Sequence, residues 1–148
     1  MRPLILAALL LFAVPAIAAP PVPDATIEAQ ARTFLLPCHG NPECTAAGQT
    51  FIRQFVLAMH GSHGNQWALT DWFSAPTPVP VVALSGREYC AWLWILVDGV
   101  GSHYKEIDLS RQADRCDSLP ASAHAIVWRR YQALRREIHA VTGRSTDR

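Results

Sequence analysis

Nine consecutive apolar residues, Tyr89 to Val97 in the stretch EYCAWLWILVDGVG, cannot be left in water, so the other segments have to be arranged to cover them. The run falls well short of the roughly 20 residues that a membrane-spanning helix needs. It is therefore either a central strand or a buried helix, and an unbroken apolar run has no period of its own to decide between them. Ser85-Gly86-Arg87-Glu88, just before it, fits the capping box that opens a helix. Asp98-Gly99, just after it, is a hairpin signal, and beyond that turn Ile107 and Leu109 alternate with Glu106 and Asp108 at the period of a half-buried strand. Upstream, Val79 to Leu84 is rich in valine and ends in Ser-Gly. The balance of these signals predicts an α+β fold: two N-terminal helices, a small antiparallel three-stranded meander and a C-terminal amphipathic helix. The alternative is an all-α disulfide-stapled bundle with Tyr89 to Val97 as its central helix.

Met1-Arg2, the apolar stretch Leu4 to Val14 and the small residues around Ala16-Ile17-Ala18 have the order of a secretory signal peptide over residues 1–18, cut after Ala18. A Pro-rich leader over 19–23, a single globular domain over 24–143 and a flexible tail over 144–148 complete the expected organisation. The chain carries 13 Lys and Arg against 12 Asp and Glu, and loss of Arg2 with the leader brings the two to parity. Such a balance argues against nucleic acid as a partner. With the leader removed, no other segment is long and apolar enough to span a bilayer, so no transmembrane segment is expected. The Ala-rich, Arg-over-Lys composition makes a bacterial periplasm the expected compartment.

Four cysteines remain, Cys38, Cys44, Cys90 and Cys116, an even number that in an exported chain reads as two disulfides. Three connectivities are possible. Sequence proximity favours Cys38 with Cys44 and Cys90 with Cys116. No C-x-x-C occurs, which weakens a metal or thiol-exchange reading.

Asp24 is placed to cap a first helix with the stripe Ile27, Ala31, Phe34 and Leu35, stopped by Pro37. Asn41-Pro42-Glu43 opens a second, running to about His60 before Gly61. His60 to Asn65 reads as a loose polar loop, and Gln66 to Phe73 as a helical turn or short strand. From Pro120 to Thr142 the stripe Val127, Tyr131, Leu134, Ile138 and Val141 predicts a long helix, with Ser118 or Ser122 as N-cap and Gly143 as its stop.

Candidate working residues are sparse. No catalytic constellation, phosphate-cradling loop or cofactor motif is present in the sequence, so no catalytic residue and no cofactor is expected. His60 and His63 are weak metal candidates that would have to recruit His39, His103 or Asp71. The binding-surface candidates are Trp67, Trp72, Trp92 and Trp94, because tryptophan concentrates binding energy, together with the basic residues Lys105, Arg129 and Arg136. The function these features favour is an exported, disulfide-stabilised, non-enzymatic binding module of inhibitor, immunity or envelope-accessory type. Its partner would be a protein or an envelope polymer. A structural subunit of an envelope assembly is the first alternative, and a small His-dependent or metal-dependent hydrolase the second.

Overall fold

The greasy run is helical. In the computed structural model, which describes residues 22–74, 77, 79–99 and 115–143, it forms the middle of a helix spanning Gly86–Asp98. Among the described residues there are four more helices, giving α1 Asp24–Arg32, α2 Pro42–Met59, α3 His63–Ser74, α4 Gly86–Asp98 and α5 Ala121–Thr142. The expected meander is therefore corrected to the all-helical alternative. Among the described residues the only strand-like pairing is an isolated antiparallel bridge between Leu35 and Val82. The expected signal peptide, the tail, and the strand His103 to Leu109 with its Lys105 lie outside the described residues.

Both boundary signals acted, but as helix ends. Ser85 Oγ accepts from the Glu88 amide at 3.2 Å, the N-terminal half of a capping box. Gly99 takes up the left-handed conformation, φ 66°, and its amide bonds back to Ile95 and Leu96 carbonyls, closing the helix as a C-terminal glycine does. Asp-Gly signals positive φ, and a hairpin turn and a helix stop both require it. The pairing of Val79 to Leu84 also differs from expectation. This segment runs extended beside the residues that follow α1, with Leu36 N–H donating to the Val81 carbonyl at 2.8 Å.

Tyr89 to Leu96 are all buried, which is what a helix apolar on every side demands. α3 packs on one side of α4 and α5 on another, while α2 holds α1 and α3. One apolar core runs through all five helices, from Ile27 to Ile138. Each fully buried Leu or Ile here contributes on the order of 2 kcal/mol of transfer free energy. The helix starts are mostly as the sequence indicates. Asn41 caps α2 by accepting from Glu43 and Cys44 amides at 2.8 and 3.1 Å. Asp24 and the two serines, by contrast, do not cap: Pro23 and Pro120 occupy the N-cap positions without a side-chain bond. α3 begins at His63, inside the stretch expected to be a loop, and absorbs Gln66 to Phe73.

The two disulfides join Cys38 to Cys44 and Cys90 to Cys116, with Cα separations of 5.4 and 5.7 Å. The first staples the loop before α2 to its opening turn. The second ties α4 to the segment preceding α5.

One charged side chain sits in this core. Glu88 is 1% exposed, and its carboxylate takes Arg130 Nε at 2.8 Å and Arg87 Nη2 at 2.9 Å. Arg130 continues to Glu137 at 3.3 Å, and Glu137 accepts from Gln30 at 2.8 Å. The chain of contacts links α4, α5 and α1 through polar groups alone. Desolvating Glu88 costs several kcal/mol, which this ring of donors offsets. The same contacts explain why only half of the capping box forms: the carboxylate is taken up by Arg130, and the Ser85 amide bonds instead to the Phe73 carbonyl at 3.0 Å.

Candidate functional site

The residues singled out from the sequence go to different places. Trp92 is fully buried against Phe55, with ring centroids 5.7 Å apart, and is a core residue. Trp67 and Trp72 are half-buried on α3, and Trp72 Nε1 donates to Gln54 on α2 at 2.6 Å, so this indole cross-links two helices. Arg129 and Arg136 lie exposed on α5. His60 Nε2 pairs with the Asp24 carboxylate at 2.7 Å, joining the end of α2 to the start of α1. His63 opens α3. Among the described residues no group of three or more His, Cys, Asp or Glu is placed to hold a metal ion. The structure thus disperses most of the expected site and leaves Trp94 beside a groove that was not among the expected features.

The groove, of about 400 Å³, lies between the C-terminal end of α4 and the N-terminal half of α5. α4 supplies Trp94, Val97 and Asp98, and α5 supplies His124, Trp128 and Tyr131. Asp117 adds a carboxylate from the intervening segment. Cys90, Trp94 and Val97 recur at i, i+4 and i+7, so the Cys90–Cys116 staple and the groove share one side of α4. Cys116 is thereby held to α4, and its neighbour Asp117 with it.

The aromatic wall is continuous. Trp94 meets Trp128 and Tyr131 at centroid distances of 5.8 Å each, and Trp128 meets Tyr131 at 5.1 Å. His124 lies 4.9 Å from Trp94. Trp94 is 7% exposed and forms the floor, whereas Trp128 is 50% exposed and forms the rim.

The polar part is fixed by hydrogen bonding. Tyr131 Oη donates to Asp98 Oδ2 at 2.7 Å, and Arg135 Nε lies 3.4 Å from the same oxygen. Burial, then the bond to Asp98 and its negative charge, push the Tyr131 hydroxyl from 10.0 up to about 12, with Arg135 acting the other way. The phenol is therefore protonated at any physiological pH and remains a donor. A carboxylate held in this way is an oriented acceptor set in an aromatic wall, an arrangement suited to recognition.

A signal for this site was present in the sequence. His124, Trp128, Tyr131 and Arg135 recur at i, i+4, i+7 and i+11, a second stripe that shares Tyr131 with the core stripe of α5. A large aromatic on the flank of an amphipathic helix borders the partner helix while keeping one face in solvent. Compared with protein families, curated proteins and solved structures, the chain has no match in any of the three.

Proposed function

We propose that this chain is an exported, non-enzymatic binding module that docks a protein partner at the groove between α4 and α5. The observation that carries the reading is Trp128: a half-exposed indole, backed by Trp94 and Tyr131, beside an oriented carboxylate. Tryptophan set in a partly desolvated surround is the residue type in which interface energy concentrates. The two disulfides support an oxidising compartment, and no helix among the described residues is long and apolar enough to cross a membrane. Together with the leader expected over residues 1–18, this makes the periplasm the compartment we propose.

The test is a photo-crosslinker placed at position 125, exposed one turn before Trp128 on the same side of α5, in protein expressed in a bacterial host. The expected result is one stoichiometric adduct with a second protein, lost in Trp128→Ala and retained in Arg136→Ala. An adduct pattern unchanged by Trp128→Ala would overturn the reading. Fractionation decides the compartment, the expected result being a mature chain, shortened at its N-terminus, in the periplasmic fraction.

A further inference from the structure

The occupant of the groove can be narrowed by its chemistry. Among the described residues, the groove lining carries two carboxylates, Asp98 and Asp117, and no Lys or Arg. Among the described residues, both donors that meet the Asp98 carboxylate, Tyr131 Oη and Arg135 Nε, are placed at Oδ2. The Asp98 side chain is 38% exposed, so Oδ1 is left for a donor from outside. Beside it stands the aromatic wall of Trp128 and Tyr131, whose ring faces carry negative quadrupole density. An anion would meet the open side of the Asp98 carboxylate, and a neutral apolar group would bring no donor to its Oδ1. A planar cation satisfies both parts, because a guanidinium stacks on an indole face while its edge donates to a carboxylate.

We infer that the groove receives an arginine side chain of the partner polypeptide, the guanidinium lying on Trp128 and donating to Asp98 Oδ1. This rests on the docking reading above and specifies what is docked. Lysine, a strongly hydrated point charge, fits the stacked position less well. Since part of the attraction is between charges at a half-open surface, it should weaken as ionic strength rises.

The probes are three short blocked peptides of the form acetyl-Gly-X-Gly-amide, with arginine, lysine or citrulline at X, citrulline being the uncharged planar analogue of arginine. They are titrated against the full mature chain while the tryptophan indole N–H resonances are followed. The expected result is a saturable shift confined to the Trp94 and Trp128 indoles with the arginine peptide, and binding about tenfold weaker with citrulline. Asp98→Asn, which keeps an acceptor for Tyr131, should weaken arginine binding by a similar factor while an unchanged melting curve shows that the fold is intact. Citrulline binding as tightly as arginine, no shift with any peptide, or shifts at Trp67 and Trp72 alone would each overturn the inference. The two readings fail separately. A partner adduct lost in Trp128→Ala with no arginine binding sinks the guanidinium and keeps the docking surface. Arginine binding with no adduct keeps the chemistry and sinks the proposed module.

Discussion

Two aromatic clusters of similar make-up lie in this molecule, and they differ in what closes them. Around Phe51, the rings of Phe34, Phe55, Phe73 and Trp72 sit at centroid distances of 5.7 to 6.4 Å, and Phe55 passes on to Trp92. Around Trp94, the rings of His124, Trp128 and Tyr131 sit at 4.9 to 5.8 Å. Ring spacing does not separate the two. The first cluster is enclosed by α2, α3, α4 and the residues after α1, so Phe51, Phe55 and Trp92 meet no solvent. Among the described residues the second lies between two helices, α4 and α5, and its outermost indole is half-exposed. Aromatic contact geometry thus reports packing in both places, whereas the exposure of the outermost ring separates the open cluster from the enclosed one.

The largest effect expected to separate them is at Trp92. Trp92→Ala should destabilise the fold by about 3–5 kcal/mol, read as a fall in the denaturant midpoint, because the enclosed site cannot collapse onto the space left. Arg130→Met comes next. It leaves Glu88 buried with Arg87 as its remaining cation and should cost about 3 kcal/mol, whereas the double variant Glu88→Met with Arg130→Met should recover most of that loss in the same titration.

The disulfides overlap the lower end of this range. By the chain-entropy model, losing Cys90–Cys116, separated by 26 residues, costs about 3.5 kcal/mol at most, and losing Cys38–Cys44, separated by 6, about 2 kcal/mol. Cys90→Ser paired with Cys116→Ser should in addition loosen the open cluster, seen as broadened Trp94 and Trp128 indole signals. The double serine variant of the other pair should leave those signals sharp.

Tyr131 supplies a pH test of the open cluster alone. Its hydroxyl pKa is higher in the folded chain than in the unfolded one, so between about 10 and about 12 the folded state binds more protons. The stability it contributes is complete below pH 10 and is lost as pH rises through its folded pKa. Tyr131→Phe should remove that part of the alkaline fall in melting temperature, and a variant with an unchanged alkaline slope would show the assignment to be mistaken. The smallest effect is expected at Trp128. With half its surface already in water, Trp128→Ala should cost under about 1.5 kcal/mol in stability while abolishing partner capture.

What the sequence made legible follows the locality of each signal. Asn41-Pro42, the glycines at 61 and 143, and the stripe of α5 act within a turn of the backbone, and they mark helix ends and faces correctly. The disulfide pairing by proximity agrees with the structure for the same reason. Residues 89–97 could not be resolved locally, since strand and helix both accommodate a run buried on every side, and Asp98-Gly99 is compatible with either ending. The arrangement around Glu88 was hidden as well. Its partner Arg130 stands 42 residues away, and nothing in the residues nearest Glu88 singles it out. Of the site, only the residue type of Trp94 points to binding, and the core stripe of α5 does not mark Trp128, because it is complete without it.

The buried carboxylate has a consequence for how α5 is seated. A cylinder that is oily around its whole circumference, as α4 is, offers a neighbour many equivalent resting positions. Sliding α5 by one turn would carry Arg130 about 5.4 Å from Glu88 and strand an ion in hydrocarbon. Glu88 therefore works as a keyway, admitting one seating of the two rods and holding Trp128 opposite Trp94.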